Sequence, residues 1–156
     1  MFVDNLTEAI RNLDGVAPTL EIALIVQGKR RELAALTRAE AYCISCEALR
    51  NAVRHSAAKR IEVEVHYGSV GLRVRVRDDG CGICREKLQG NTQPGGGLLR
   101  MHQHAHRLHT EIRVWSAVNA GTEIELAVPA RTAYATAPRR ASYARLLHER
   151  MLDAVS

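Results

Sequence analysis

The chain is poor in aromatic side chains: its 156 residues include one Trp, one Phe and four Tyr. A core must therefore be built from Leu, Ile, Val and Ala, and there is no aromatic platform on which single-stranded nucleic acid could stack. Lysine is scarcer still. Of 22 basic side chains only those at 29, 59 and 87 are Lys, within a formal net charge of +5. The arginines are scattered, apart from Lys29-Arg30-Arg31 and Arg139-Arg140, so they form no stripe to follow a phosphate backbone. No nucleic-acid partner is expected. No apolar run approaches the roughly 20 residues needed to cross a bilayer. The start, Met1-Phe2-Val3-Asp4, has neither the basic region nor the apolar stretch of a secretory signal. A cytoplasmic segment without membrane contact is expected.

Cysteine is present only as two C-x-x-C pairs, Cys43/Cys46 and Cys81/Cys84. A zinc ribbon separates its pairs by roughly 15–20 residues, and the gap here is much longer. The first pair also falls inside a helical pattern rather than on a knuckle. Small helix-face and loop residues are the plainer reading. No G-x-x-x-x-G-K-[ST] phosphate loop occurs, and no βαβ unit surrounds the glycine run for a dinucleotide fingerprint.

What the chain does have is 46% hydrophobic residues, enough for one domain with a packed core. Leu6, Ile10 and Leu13 mark a short helix over Asn5–Asn12, and Leu20–Gln27 is strand-like. Thr37 followed by Glu40 has the capping-box pattern, and Ala41, Ile44, Ala48, Leu49, Ala52 and Val53 form a helical stripe behind it. Residues 60–67 and 72–77 alternate as a hairpin, with Glu62 and Glu64 opposed to Arg73, Arg75 and Arg77. A glycine-rich loop over 80–96 precedes a helix over Leu98–Leu108. A second hairpin then joins Glu111–Ala117 to Thr122–Val128. Ala130–Arg140 reads as a tail, and Ala141–Leu152 has a terminal amphipathic helical pattern. The order predicts an α+β fold: a two-layer sandwich whose mixed, mostly antiparallel sheet is covered by helices on one face.

Three segments carry chemistry. Glu47 and Asn51 stand four apart and share a helix face, with Arg54 and His55 following. Asn51 offers one oxygen to Mg²⁺, which takes few protein ligands, and Glu47 can orient or deprotonate an attacking group. Taken alone, the pattern is also that of a solvated polar stripe. Asp78 ends a strand ahead of Asp79-Gly80-Cys81-Gly82. A carboxylate there accepts from the amino group of adenine and repels the carbonyl of guanine, with Gly80 and Gly82 leaving room at positive φ. Asp-Gly is equally a turn pair. Gly95-Gly96-Gly97-Leu98 opens a helix, whose first N–H groups favour an anion; a flexible linker is the plainer alternative.

In this order the three segments resemble the N, G1 and G2 boxes of the GHKL ATPases, the family of gyrase, Hsp90, histidine kinases and MutL. The run 47–56 is similar to the N box of Nar/Des-like sensor histidine kinases. Trp115-Ser116 with Gly121–Pro129 resembles their closing hairpin. The similarity runs from about Thr19 to Tyr134. It implies a Bergerat-type sandwich holding ATP and Mg²⁺, with Glu47 as the acidic catalytic residue and Asn51 as the magnesium ligand. Arg54 and His55 match phosphate-side positions. Asp78 matches the adenine-reading acid, flanked by Gly80 and Gly82. Gly95, Gly97 and Leu98 match the lid hinge, and Thr122 matches the hydroxyl beside the acid. The usual Met-x-Glu-Arg run is Met101-His102-Gln103-His104 here.

The resemblance implies residues 16–134 as the ATP-binding domain, 1–15 as the end of an upstream helix or linker, and 135–156 as a tail. It implies transfer of the γ-phosphate to a histidine on a separate phosphoacceptor helical domain, and through that to a response regulator, in a homodimeric parent kinase that can be membrane-anchored. A degenerate nucleotide-binding module without kinase activity and an anti-sigma-type protein-serine kinase are the alternatives. His102, His104, His106 and His109 share one helix; those at 102, 106 and 109 have a spacing that could share a metal, and a solvated helix face is the plainer reading.

Overall fold

Alternation builds the centre of the sheet. Ile61, Val63 and Val65 are fully buried, and Glu62, Glu64 and His66 lie between them on the other face. These residues form β2 (Arg60–Tyr67), which turns back as β3 (Gly71–Asp78) with Val63 opposite Val76 and Val65 opposite Val74. The computed structural model describes residues 1–15, 17–55, 57–83 and 96–136. Before the hairpin come α1 (Phe2–Asp14), β1 (Glu21–Gln27) and α2 (Ala35–His55). After it come α3 (Gly97–Arg107), β4 (Ile112–Ala117), β5 (Gly121–Pro129) and the single turn α4 (Ala130–Ala133).

The five strands lie in the order β1-β2-β3-β5-β4. Only β1 runs parallel to its neighbour; the crossover that parallel pairing requires is α2. The architecture is the open, mixed α+β sandwich that the element order predicts. Ala41, Ile44, Ala48, Leu49 and Ala52 line the buried stripe of α2, and Met101, Ala105 and Leu108 that of α3 and the turn after it. Phe2, Val3, Leu6 and Ile10 of α1 join the same core. Each fully buried aliphatic side chain stabilises the fold by about 1.5–3 kcal/mol.

The opposite face of the sheet is a lattice of ion pairs. Glu64 meets Arg73 and Arg75 at 3.4 Å, Arg75 meets Glu123 at 3.7 Å, and Arg113 meets Glu125 at 3.8 Å.

Three local expectations change. Thr37 does not cap α2, which begins two residues earlier at Ala35. Its hydroxyl donates to the carbonyl of Thr132 at 2.8 Å, and Glu40 turns to α3 instead of back to the helix start. Tertiary partners have outcompeted the local box. Helix α1 extends beyond Asn5–Asn12 at both ends. Part of the expected tail is built in: Tyr134 bridges to Leu33, and its hydroxyl donates to the carbonyls of Gly68 and Gly71. The helical pattern of 141–152 lies outside the described residues.

Candidate functional site

The helix-facing side of the sheet is apolar along most of its length and polar at one end. Asp78 stands opposite Ile61 on one side and Thr122 on the other, and Thr122 stands opposite Ser116. Directly paired residues share a face, so Asp78, Thr122 and Ser116 form one row beneath the helices. The last turn of α2 ends five residues before Arg60, the start of β2. Asn51 therefore belongs to the same end of the molecule as the Ile61–Asp78 pair.

Asp78 is 6% exposed, and no basic side chain pairs with it among the described residues. Burial pushes its carboxyl above the ordinary value, and backbone N–H groups of Gly80 and Thr122 offset this in part. The Gly80 N–H donates to Asp78 Oδ1 at 2.9 Å. That is the role of Gly80, which does not adopt the positive φ expected from the sequence. Gly82 does, at φ 74°, and a Cβ there would lie 2.1 Å from the carbonyl oxygen of Ala117. Only glycine fits where the chain leaving β3 crosses the β4–β5 turn. Thr122 is buried beside Asp78, with its hydroxyl 2.9 Å from Ser116 Oγ. Ser116 also accepts the N–H of Ile83 at 2.7 Å and donates to the Gly121 carbonyl at 3.1 Å. It thus ties the loop after β3 to the hairpin that holds Thr122. Spacing gives no sign of Ser116, because its position depends on the β4–β5 register.

The neighbouring Asp79 does different work. It is exposed, and its Oδ1 accepts the backbone N–H groups of Lys59 and Arg60, each at 2.9 Å. Those bonds hold its carboxyl below the ordinary value.

Above the polar row, α2 meets α3. A Cβ on Gly97 would stand 2.9 Å from both Asn51 Oδ1 and Glu47 Oε2. The start of α3 thus rests on the two residues singled out on α2, and a side chain at 97 would push them apart. Gly96 caps α3 with no side-chain hydrogen bond, which leaves the first-turn N–H groups to an anion. Leu98 is half-buried against the core. Arg54 is exposed on the last turn of α2, and His55 is its final residue. Gly95 lies outside the described residues.

Glu47 is not a free carboxylate. Arg100, missed by the sequence reading, donates from Nε at 3.2 Å and Nη2 at 3.1 Å, and Arg50 adds a contact from within α2. Burial pushes the Glu47 carboxyl up, but the two guanidinium groups outweigh it, and the net shift is below the ordinary value. Farther along the seam Glu40 contacts His104 Nδ1 and accepts from Arg107 at 3.3 Å. His104 is thus turned into the seam.

Asn51 Oδ1, beside Gly97, is a hard oxygen of the kind Mg²⁺ takes, whereas the oxygens of Glu47 are held by Arg100 and Arg50. Among the described residues no group of three or more His, Cys, Asp or Glu is gathered as a metal site. No helix among them is long and apolar enough to cross a membrane.

Comparison with known proteins covers most of this framework. The ATP-binding domain of PrrB from Mycobacterium tuberculosis superposes with a TM-score of 0.67 at 20% identity, over 81% of this chain and 92% of that one. The histidine kinase domain of the blue-light activated kinase from Erythrobacter litoralis EL346 gives 0.66 at 22% identity, over 82% and 59%. Both likenesses concern the fold. In sequence, the nitrate/nitrite sensor protein NarX of Escherichia coli K12 is 31% identical over 90 residues, 57% of this chain and 14% of NarX. The sensor histidine kinase LiaS of Bacillus subtilis is 32% identical over 83 residues, 53% of this chain and 22% of LiaS. The chain thus spans under a quarter of either relative. The family described as histidine kinase-, DNA gyrase B-, and HSP90-like ATPase matches residues 41–132, from within α2 to α4, and the chain belongs to that family.

Proposed function

We propose that the chain binds an adenine nucleotide with Mg²⁺ between the polar row of β3 and β5 and the start of α3, and that it supplies the γ-phosphate to a histidine on a separate helical domain. The observation that carries this is Asp78: a buried carboxylate with no cation beside it among the described residues, placed at the end of an otherwise apolar face. Such a group costs stability unless a ligand uses it. The adenine amino group is a donor of the right kind, and a guanine carbonyl in its place would face a carboxylate. Thr122, Gly80 and Gly82 complete the wall on this side, and Asn51, Gly97 and Leu98 stand on the phosphate side. Arg54, His55 and Gly95 are assigned there by the resemblance.

Mg²⁺ would be held by Asn51 and would supply neutralisation of phosphate charge. Glu47, ionised at neutral pH, would accept a hydrogen bond from the N–H of the incoming imidazole and orient it. The partners are a phosphoacceptor-histidine domain and, through it, a response regulator; the parent is a cytoplasmic-facing homodimeric sensor kinase. In this reading residues 16–134 are the nucleotide domain, 1–15 the end of an upstream helix or linker and 135–156 a tail.

Calorimetry with Mg-ADP tests the binding step, and absence of heat from the wild-type chain refutes it. Phosphotransfer to an added phosphoacceptor domain tests the second step. A non-catalytic nucleotide-binding module is the second reading, favoured by the pairing of Glu47 with Arg100 and Arg50. ADP binding without transfer to any supplied domain would select it.

A further inference from the structure

The seam between α2 and α3 pairs a buried acid with a base that can leave. Glu47 is 8% exposed, whereas the Arg100 side chain keeps 43% of its surface. Both nitrogens that reach Glu47, Nε and Nη2, engage different carboxylate oxygens. The guanidinium thus grips in the two-point geometry that suits a carboxylate and a phosphate equally. Arg100 is also three residues beyond Gly97, one helical turn from the place where α3 opens beside Asn51. Arg50 stays on Glu47 from within α2, so the carboxylate would keep one cation if Arg100 moved.

Resting on the nucleotide reading above, we propose that Arg100 is a positioning residue that exchanges partners: it holds Glu47 in the nucleotide-free chain and passes to the terminal phosphate of a bound triphosphate, freeing Glu47 to meet the phosphoacceptor. The exchange ties the readiness of Glu47 to the presence of a third phosphate. A diphosphate leaves the Glu47–Arg100 pair in place.

Calorimetry on the full chain tests it, using Mg-ADP and a non-hydrolysable Mg-ATP analogue. Arg100→Met is expected to weaken the analogue about tenfold, or roughly 1.4 kcal/mol, and to leave ADP within about twofold. Arg100→Lys should recover part of the loss. Glu47→Gln removes the competitor for Arg100, so it should tighten the analogue in the wild-type background and not in Arg100→Met. A mere loss of repulsion between Glu47 and phosphate would tighten it in both. Equal losses for ADP and analogue in Arg100→Met, or the same Glu47→Gln effect in both backgrounds, overturns the exchange while the site stands. No ADP binding by the wild type removes the site itself, and the exchange with it.

Discussion

Two buried acids in this molecule are treated in opposite ways. Asp78, at the end of β3, is bonded by backbone N–H groups and by no basic side chain among the described residues, and burial raises its pKa. Glu47, in the α2–α3 seam, is nearly as buried but has two arginines, and its pKa is lowered. The paired acid contributes to holding α3 on α2. The unpaired one works against the fold at neutral pH, since a carboxylate out of water without a counter-charge is costly. A fold keeps such a residue where its acceptor is wanted by something other than the protein. On the proposed nucleotide reading, the contrast separates a residue positioned for a ligand from one positioned by its neighbours.

The strongest way to break that contrast is Asp78→Asn. Affinity for Mg-ADP should fall at least about a hundredfold, because the amide sets a donor against the adenine amino group. Stability should stay level or rise by about 1 kcal/mol, because the desolvated charge is gone. Calorimetry and urea denaturation read the two effects separately. A variant that loses stability along with affinity would make Asp78 a structural acid like Glu47.

Glu47→Gln is expected to show the reverse signature in the nucleotide-free chain. It leaves Arg100 and Arg50 without their acid, and stability should fall by about 1 kcal/mol; both guanidinium groups are partly exposed, which limits the cost. The urea midpoint at neutral pH measures it. No fall would mean that the Glu47 pairs add nothing net to the packing of α3 on α2.

The same contrast should appear in pH dependence. The folded pKa of Asp78 is raised, so its ionisation penalty is absent below the unfolded value, about 3.9, and grows as pH climbs through the folded one. The folded pKa of Glu47 is lowered, so its contribution is present above the unfolded value, about 4.3, and is lost as pH falls through the folded one. Urea midpoints between about pH 3 and 7 should show the gap between Asp78→Asn and wild type widening with pH. The deficit of Glu47→Gln should shrink on acidification. Gaps that do not change with pH would sink the charge argument for both acids.

The two acids also differ in how legible they were. Asp78 announces itself: an alternating strand ends on it and Asp-Gly follows, so strand period and turn chemistry together mark a carboxylate at a sheet end. The α+β architecture was open to the same reading, because period-two and period-3.6 segments are long and separate. The pairing of Glu47 was hidden. Arg100 is 53 residues away, and only the packing of α3 on α2 brings them together. Glu40 misled for a related reason. Thr37-x-x-Glu40 is a sound local signal, but His104 and Arg107 were better partners than the helix start. Local spacing predicts local bonds; the seam is tertiary, and its residues are interchangeable with a solvated stripe until the second helix is placed.

A third acid marks the lower bound of the comparison. Glu62 lies on the outer face of the sheet, across from Arg77 and 3.6 Å from Arg60, with both side chains of the Arg60 pair open to solvent. It has a cation, as Glu47 does, but water competes for both partners, and holding two long side chains still offsets the Coulomb gain. Glu62→Gln should therefore change stability by no more than about 0.5 kcal/mol, with ADP affinity untouched. Raising the salt concentration should shrink even that difference, since exposed pairs are screened. A loss as large as that of Glu47→Gln would show that pairing, rather than pairing under burial, is what these acids contribute, and the distinction between the seam and the outer lattice would have to be abandoned.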